Sequence, residues 1–278
     1  MKAGTLYVVA TPIGNLEDIT FRALRVLREV ALVAAEDTRR SGLLLRHFGI
    51  ATPLVSLHAH NEGQKTESLI ARLRSGDSIA LVSDAGTPAV SDPGAGIVAA
   101  ARAAGVRVEA VPGSSAVLAA LSASGLVGRE GFAFLAFPPT KANDRKAWLD
   151  ELDFLRRRLS VVFFEAPHRV LQTIGELDNR SIARILVFRE LTKLHETSYD
   201  GPPAQVGSQI SPVAGEFTVV VPFEPPSAGP ATPPTDDEVR LMFGQITNTK
   251  AREAARQVAA RTGLSVNQVY DIVRAGRD

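Results

Sequence analysis

Short apolar runs alternate along this chain with longer segments in which apolar residues recur every three or four positions. Runs without polar residues are typical of strands buried on both faces, and the longer segments have the period of amphipathic helices. The alternation predicts mixed or parallel sheets covered by helices, which is an α/β fold. The predicted strands are Leu6–Ala10, Leu32–Ala35, Ile79–Val82, Val106–Val111, Val161–Phe164, Ile185–Phe188 and Phe217–Val221. The predicted helices are Arg22–Val30, Arg39–Phe48, Lys65–Leu73, Ile97–Ala104, Ala116–Ser122, Asp144–Leu155, Val170–Leu177 and Pro203–Gln209.

Two changes of pattern divide the chain into domains. Phe132, Phe134 and Phe137 alternate as in a strand, and the surrounding stretch is typical of a crossing between two α/β units. Proline becomes frequent from Pro222 onward among Gly, Ala, Ser and Thr, which favours a semi-extended linker. The predicted domains are an N-terminal α/β domain at 1–125, a second α/β domain at 126–223, a Pro-rich linker at 224–235 and a small helical domain at 236–278.

The last predicted domain has the pattern of two or three short helices, and Ser265 is the predicted N-cap of the final one. It contains seven Lys/Arg and six Asp/Glu residues, so its charge alone does not indicate nucleic-acid binding. A helix-turn-helix unit that binds nucleic acid and a simple docking or dimerising module both fit this pattern.

Composition narrows the class of protein. The chain has 278 residues and a formal net charge of +1, so contact with a polyanion would depend on a local basic patch. It contains no cysteine, which excludes disulfides, thiolate metal ligands and cysteine nucleophiles. The N-terminus lacks the apolar core of a signal peptide, and no apolar run reaches the ~20 residues of a membrane helix. We expect a cytoplasmic protein without membrane contact.

Six predicted strands are followed by loops rich in small, charged or turn-forming residues. Carboxyl ends of parallel strands meet at one edge of an open α/β sheet, where ligands bind. Turn chemistry explains glycine and proline there, but repeated charged clusters carry a desolvation cost that a purely structural loop has no reason to bear. We therefore predict a functional cleft at this edge. The six loops are Thr11–Leu16, Glu36–Arg40, Ser83–Gly94, Pro112–Ala116, Glu165–Arg169 and Arg189–Glu196.

The loop Ser83–Gly94 is the most informative of the six. It joins an apolar strand to an Ala-rich helix and contains two carboxylates among glycine, proline and serine. Glycine lets the backbone approach a ligand closely, and a helix start offers unpaired N–H groups. The structural alternative is a tight turn in which Asp92 caps the helix. No G-x-G-x-x-G follows the first strand and no P-loop motif occurs, so neither a dinucleotide-binding Rossmann fold nor a P-loop NTPase is expected.

Six motifs occur along the chain in a characteristic order, and they are Ala10–Leu16, Ala35–Arg39, His58–Glu62, Ser83–Gly94, Glu165–Arg169 and Arg189–Glu196. Together they resemble the ribosomal RNA small subunit methyltransferase I family, in the tetrapyrrole-methylase-like class of S-adenosylmethionine (SAM) enzymes. The resemblance implies two α/β domains with SAM in the cleft between them, and a homodimer. It also implies 2′-O-methylation of a cytidine ribose in the decoding region of small-subunit rRNA, with the small ribosomal subunit or its rRNA as partner.

The resemblance further implies which residues hold SAM. Small residues suit the adenine, backbone N–H groups suit the carboxylate, and acidic or carbonyl oxygens suit the ammonium and the ribose hydroxyls. The implied cofactor-binding residues are Pro12, Asp84, Ala85, Val90, Ser91, Ser115, Ala116, Glu165, Ala166 and Leu191. The chain departs from the family at Ala136, where glycine is usual.

Methyl transfer to a ribose hydroxyl is an in-line displacement in which alignment supplies much of the rate. A base near the hydroxyl adds roughly 10²–10⁴-fold. The candidates for that base are Glu36, Asp37, His58, His60, Glu62, Glu165 and Lys193. We expect Asp37 or Lys193 to act, with Glu36 as the next catalytic candidate. Lys193 would act only if burial lowers its pKa.

Basic and polar residues of the same loops are predicted to bind the RNA. They are Arg39, Arg40, His58, His60, Asn61, Glu62, Arg169 and Arg189. Each arginine also fits a simple surface ion pair. On a strand, His58 and His60 would share one face and, with Glu62, offer three metal ligands. Because no second cluster supports them, we expect substrate hydrogen bonding there and no metal.

Three functions remain open. The first is a SAM-dependent rRNA ribose methyltransferase, and the second is a methyltransferase of the same architecture that acts on a small molecule such as a tetrapyrrole. The third is a non-catalytic RNA-binding or ribosome-assembly protein. The Arg-rich loops and the helical C-terminal domain favour the first over the second, because a small substrate needs neither. The intact loop Ser83–Gly94 favours the first over the third.

Overall fold

The computed structural model describes residues 3–126, 131–225, 235–246, 249, 251–262 and 264–275.

The first of its two β-sheets consists of five strands that all pair parallel. The strands are β1 (Thr5–Val9), β2 (Leu32–Ala35), β3 (Leu54–Ser56), β4 (Ile79–Val82) and β5 (Arg107–Val111). Their order across the sheet is β3-β2-β4-β1-β5. The helices of this half are α1 (Phe21–Glu29), α2 (Thr38–His47), α3 (Glu62–Arg74), α4 (Ala95–Ala103) and α5 (Ala116–Ser124).

Helices cover both faces of this sheet. On one face α3 and α4 pack on the side chains of Leu6, Leu32 and Leu81, and on the other face α1 and α2 pack on Val9 and Val33. Every residue of β2 and β4 is buried, because these two strands have neighbours on both edges and helices on both faces. Their consecutive apolar residues are therefore required by their position.

The second sheet is mixed. Its strands are β6 (Phe132–Phe134), β7 (Ser160–Glu165), β8 (Ile185–Arg189), β9 (Thr197–Gly201) and β10 (Phe217–Val221), in the order β6-β7-β10-β8-β9. β6 and β7 are parallel, whereas β10 runs antiparallel to both β7 and β8, and β8 is antiparallel to β9. β7 and β8 therefore point the same way and end at the same edge. The helices are α6 (Ala142–Leu155), α7 (Pro167–Asp178) and α8 (Pro203–Gln209).

Helix α5 joins the two sheets. Its residues Val117, Ala120 and Leu121 are buried in one apolar cluster with Val162 of β7 and Val220 of β10. The same cluster includes Ile13 from the loop after β1 and Leu191 from the loop after β8. The carboxyl ends of the first sheet are thus held against the carboxyl ends of β7 and β8.

The predicted elements are found with small shifts of their ends, and two strands were missed. β3 has only three residues, all partly exposed, and β9 is an edge strand whose residues are mostly polar and exposed. Neither shows the apolar run that identifies a buried strand. β6 ends at Phe134, and Ala136 has a φ of +50°, a left-handed conformation that ends the strand before Phe137.

The chain divides into two compact units, Met1–Pro225 and Pro226–Asp278. In the described residues of the second unit, the helices are α9 (Asp236–Gln245), α10 (Ala251–Thr262) and α11 (Val266–Arg274), around buried Val239, Ala255, Val258 and Val269. Ser265 is the N-cap of α11, as predicted, and forms a capping box with Gln268. Of the predicted linker 224–235, residues 226–234 lie outside the described part of the chain. The predicted class, two α/β domains and a small helical appendage, is confirmed.

None of the helices in the described residues has the length and apolar character needed to span a membrane.

A buried network of ionic and polar groups supports the loop after β7. Arg145 of α6 is 7% exposed and donates to Glu176 and, at 2.7 Å, to the hydroxyl of Thr173. That hydroxyl donates to Glu165 at 2.5 Å, and Arg169 contacts the other oxygen of Glu165 at 2.7 Å. A buried carboxylate needs such partners, because an unpaired charge in the interior is strongly unfavourable.

We expect Arg145→Met to lower the free energy of unfolding by about 3 kcal/mol, since it leaves Glu165 and Glu176 without their shared cation. The single tryptophan, Trp148, is buried in the same core, so its fluorescence reports unfolding in urea. The control is Arg157→Met, at an exposed position nearby, which we expect to change the free energy by less than about 0.5 kcal/mol. Equal small effects of both variants would contradict the assigned role of the network.

Candidate functional site

The two sheets meet where their strands end, and a cavity of about 370 Å³ lies between them. Its walls come from the loop after β4, the start of α5, the end of β7 and the first residues of β10. The loops after β1 and β8 and the segment after β6 complete it. The lining residues are Ile13, Ala85, Gly86, Thr87, Val90, Ser91, Asp92, Ser115, Ala116, Val117, Phe137, Phe164, Glu165, Ala166, Pro167, Leu191, Gly215, Glu216, Phe217 and Thr218. We call this space the inter-sheet cavity.

A second cavity of about 590 Å³ adjoins the first and shares Ile13, Ala85 and Glu216 with it. It lies between the loop after β1, one face of α2 and the end of β4, and we call it the α2 cavity. Its lining residues are Thr11, Pro12, Ile13, Gly14, Leu16, Arg40, Ser41, Leu43, Leu44, His47, Ser83, Asp84, Ala85, Lys193 and Glu216.

The predicted cofactor residues all lie on the walls of these two cavities. Eight of them line the inter-sheet cavity, and they are Ala85, Val90, Ser91, Ser115, Ala116, Glu165, Ala166 and Leu191. Pro12 and Asp84 line the α2 cavity, with Ala85 on both walls. Residues that are distant along the chain meet here because the carboxyl ends of parallel strands lie at one edge of the sheet. The loops after β1, β4 and β5 follow neighbouring strands of that sheet.

Helix α5 and the loop after β4 offer backbone donors to a ligand. Ser115 caps α5 by accepting from the N–H of Leu118 at 3.4 Å. The N–H groups before Leu118 have no intrahelical partners, because they lie in the first turn of the helix. Ala116 and Val117, which carry these groups, line the inter-sheet cavity. In the loop after β4, Ala89 and Ser91 have φ values of +65° and +64°, a conformation that costs free energy for residues other than glycine.

Asp92 lines the inter-sheet cavity and is half-buried. Burial raises the pKa of its carboxyl to about 6, the nearby hydroxyl of Ser83 opposes this, and the nearby charges of Glu36 and Asp84 raise it further. The structural alternative proposed for this residue is wrong, because the N-cap of α4 is Gly94, with a φ of +120°, and has no side-chain cap. The carboxylate of Asp92 is therefore not used to cap the helix.

Asp37 and Glu36 line neither cavity. Asp37 caps α2 by accepting from the N–H of Arg39 at 2.8 Å, and it forms an ion pair with the guanidinium of the same residue at 2.7 Å. The hydrogen bonds from Arg39 hold the pKa of Asp37 far below its usual range, which makes this carboxylate a weak base. Glu36 accepts from the backbone N–H of Asp84 at 3.4 Å.

Lys193 lines the α2 cavity and is an ammonium group. Burial by itself would lower its pKa, but hydrogen bonds to Glu190 at 2.8 Å and Glu216 at 3.1 Å, with their charges, raise the pKa above its ordinary value. The condition under which Lys193 was expected to act as a base is thus not met. Its charge is balanced by Glu190 and by Glu216, the second of which lines the same cavity.

Two of the arginines predicted to bind RNA are instead bound to other groups of the protein. Arg189 is 8% exposed and donates to the carbonyl of Ala214 at 2.7 Å, so the prediction that it contacts phosphate is wrong. Arg169 is paired with Glu165 and donates to the carbonyl of Pro138 at 2.9 Å, and the same correction applies to it. Glu165 itself has both oxygens occupied, which removes it from the candidate bases.

The other two predicted arginines are exposed. The side chain of Arg39 is 88% exposed beside Asp37, and that of Arg40 is 67% exposed with its guanidinium 3.4 Å from Asp84. Both lie at the start of α2, next to the α2 cavity.

The segment His58–Glu62 forms the turn into α3 and not a strand, so the predicted placement of His58 and His60 on one strand face is wrong. Asn61 accepts from the backbone N–H of His58 at 2.9 Å, and Glu62 accepts from the N–H of Ile97, at the start of α4, at 3.0 Å. None of these four polar residues lines either cavity. Over the part of the chain that the structure describes, no three His, Asp or Glu side chains are placed to share a metal ion.

Several cavity residues were missed by the sequence reasoning. Gly215, Glu216 and Thr218 lie at the amino end of β10, which reaches this edge only because it runs antiparallel to β7 and β8. A rule based on the carboxyl ends of strands does not include them. His47 was missed because it lies on a helix, at the last position of α2.

The comparisons with known proteins agree with this architecture. Residues 5–207 match the family model described as Tetrapyrrole (Corrin/Porphyrin) Methylases. Among solved structures, a uroporphyrin-III-C-methyltransferase from Thermus thermophilus has a TM-score of 0.55 and 25% identity, covering 79% of this chain and 94% of its own. A diphthine synthase has a TM-score of 0.60 at 17% identity, covering 78% of this chain and 89% of its own. A second structure of the Thermus enzyme contains S-adenosylhomocysteine.

Relatives of closer sequence are named ribosomal RNA small subunit methyltransferase I. The one from Pseudomonas aeruginosa is 44% identical and covers 97% of this chain and 96% of its own length. The one from Synechocystis is 42% identical and covers 97% of both chains. This chain therefore belongs to the ribosomal RNA small subunit methyltransferase I family, within the SAM-dependent tetrapyrrole methylases.

Proposed function

We propose that this protein transfers a methyl group from SAM to the 2′-hydroxyl of a cytidine ribose in the decoding region of small-subunit rRNA. The observation that carries the proposal is the pair of adjoining cavities, one suited to the methyl donor and the other lined by Lys193 and Arg40, next to the exposed Arg39. The names of its closely similar relatives support rRNA as the substrate.

The residues of the inter-sheet cavity fit SAM. The free N–H groups at the start of α5 suit the amino-acid carboxylate. The small side chains of Ala85, Ala116 and Ala166 leave room for the adenosine, and Phe137 and Leu191 supply apolar surface for the adenine. When bound, SAM supplies an electrophilic methyl group on a positively charged sulfur.

The α2 cavity is the proposed place of the acceptor nucleotide. Lys193 and Arg40 line it, each in an ion pair with a carboxylate of the same cavity. Arg39 lies at the exposed start of α2, where it is paired with Asp37. Cationic groups of this kind bind the phosphates on either side of a nucleotide, whereas the cavity wall excludes water from its ribose. The shared residues Ile13, Ala85 and Glu216 mark where the two reactants would meet.

The protein contributes to the reaction mainly by alignment. The cluster around α5 fixes the distance between the loops after β1 and β8, and Gly14 allows their close approach: a Cβ there would lie 2.9 Å from the hydroxyl oxygen of Thr192. An in-line displacement depends on such fixed geometry of donor and acceptor.

We also propose that the partner is the small ribosomal subunit or its rRNA and that the active form is a homodimer. The proposed α/β domains are 1–125 and 126–223.

A small-molecule acceptor is the second candidate function, since the uroporphyrin methyltransferase shares the fold. A non-catalytic RNA-binding protein of this fold is the third. The following assay separates them.

We expect labelled methyl from SAM to appear as a 2′-O-methylcytidine in assembled, unmodified small ribosomal subunits. Naked rRNA and a tetrapyrrole are tested beside the subunits. Ala116→Leu fills the inter-sheet cavity, so it is expected to weaken SAM binding at least tenfold by calorimetry and to abolish labelling. The matched control is Ala99→Leu, at an exposed position of α4, which should bind SAM and transfer methyl normally. SAM binding with label only in the tetrapyrrole would overturn the proposal.

We expect Arg40→Gln to raise the KM for the RNA substrate several-fold while leaving the affinity for SAM unchanged. Loss of one phosphate contact should also reduce the slope of log KM against log salt concentration by about 0.7–0.9. Steady-state methylation between low and moderate salt measures both effects. Arg102→Gln, exposed on α4 and outside both cavities, is the control. A wild-type salt slope in Arg40→Gln would argue against a phosphate contact at this position.

A further inference from the structure

Methyl transfer to a hydroxyl group releases a proton, and the expected bases do not suit its acceptance. Asp37 is neutralised by Arg39, Lys193 is an ammonium group, and both oxygens of Glu165 are occupied. The remaining candidates line neither cavity, and they are Glu36, His58, His60 and Glu62. The inter-sheet cavity has three carboxylates on its walls: Asp92, Glu165 and Glu216. Glu216 is paired with Lys193, so Asp92 alone among these three has no cationic side chain within 4 Å in the described residues.

Asp92 is placed at the boundary between the two cavities. Its own side chain lines the inter-sheet cavity, and the neighbouring Ser83, whose hydroxyl donates to the carbonyl of Ala85 at 3.2 Å, lines the α2 cavity. Ser83 is 2% exposed and precedes Asp84, whose carboxylate faces the same cavity. The carboxylate of Asp92 is therefore near the place where donor and acceptor would meet.

The loop around Asp92 contains residues with left-handed backbone conformations. Ser91 has a φ of +64°, and Gly94 has a φ of +120° at a position where a Cβ would lie 2.7 Å from the side chain of Leu81. A left-handed conformation at a residue other than glycine, as at Ser91, persists only where the surrounding structure enforces it, and it occurs preferentially at functional sites.

The charged groups that face Asp92 are Glu36 from the end of β2 and Asp84 from the end of β4, and Arg40 of α2 lies against Asp84. Burial and the two negative charges raise the pKa of Asp92 to about 6. At pH 7.5 the group is still mostly ionised, yet it binds a proton more strongly than an ordinary carboxylate. A base is most effective when its pKa lies near the working pH.

We propose that Asp92 is the catalytic base of the methyl transfer, an inference that rests on the proposed function. The acceptor oxygen forms a bond to the methyl carbon, and the bond between that carbon and the sulfonium sulfur breaks. The bonding pair stays on the sulfur, which becomes a neutral thioether, and the hydroxyl proton passes to the carboxylate of Asp92. Charge is conserved, since one cation and one anion give two neutral groups.

We expect Asp92→Asn to lower the single-turnover rate at saturating SAM roughly 10²–10⁴-fold, while the Kd for SAM changes less than about threefold. In the wild type the logarithm of the rate should rise with unit slope below about pH 6 and level off above it. The variant should show a low rate without this ionisation. Asp144→Asn, at an exposed position of α6, is the matched control and should behave as the wild type.

Two results would overturn the assignment of Asp92. The first is a normal rate in Asp92→Asn at saturating SAM. The second is a Kd for SAM raised more than tenfold while the methyl-transfer rate of the SAM-bound variant stays unchanged, because Asp92 would then be a cofactor ligand only. Failure of the proposed function is distinguishable, because the wild type itself would then not methylate RNA. If it methylates another acceptor, the same comparison on that acceptor tests Asp92. No transfer to any acceptor would overturn both.

We also expect the stability of Asp92→Asn relative to wild type to depend on pH. The folded-state pKa of Asp92 is about 6, above the ordinary 3.8, so the folded wild type binds this proton more tightly than the unfolded chain. This contribution is fully present below about pH 4 and is lost as the pH rises through 6. The gain in Tm of Asp92→Asn over wild type should therefore grow between pH 4 and pH 7 in calorimetric scans. A pH-independent difference would contradict the environment assigned to Asp92.

Discussion

The packing of α5 against the second sheet is the interaction on which the rest of the site depends. Val117, Ala120 and Leu121 bury apolar surface against β7 and β10, and the same cluster takes in Ile13 and Leu191 from the two facing loops. Each fully buried aliphatic side chain contributes on the order of 1.5–3 kcal/mol. Because α5 follows β5 directly, its first turn must stand at the edge of the first sheet while its body rests on the second. The helix start consequently opens into the inter-sheet cavity.

The carboxylates in and near this cavity differ mainly in the groups that they contact. Glu165 is enclosed by Arg145, Arg169 and Thr173 and stabilises the loop after β7. Asp37 is satisfied by the helix it caps and by Arg39. Asp92 faces Glu36 and Asp84 without a cation, which is unfavourable for folding and therefore indicates a role in function. Left-handed Ala89 and Ser91 in the same loop add backbone strain at the same place.

Much of the fold could be predicted because its strands are buried on both faces. The runs at β2, β4 and β7 have no alternative to a strand in a covered sheet, and the loops that follow them lie at one edge by the geometry of parallel pairing. The strands β3 and β9 were missed because a short or edge strand keeps polar residues. The segment His58–Glu62 was placed on a strand because two histidines at alternate positions are compatible with both a strand and a turn.

The sequence by itself determined the α/β class, the order of the elements and the set of loops that meet at the cleft, since these follow from local periodicity and from the direction of the chain. Only the tertiary structure decided which charged residues are free to contact a ligand. Arg189 and Arg169 look like phosphate ligands in sequence, but neighbours distant along the chain bind them internally. Glu216 reaches the cavity because β10 runs antiparallel to its neighbours, and Asp92 faces Glu36 from the end of another strand as well as Asp84 of its own loop. Protonation and exposure depend on neighbours in space, and no local pattern of residues contains that information.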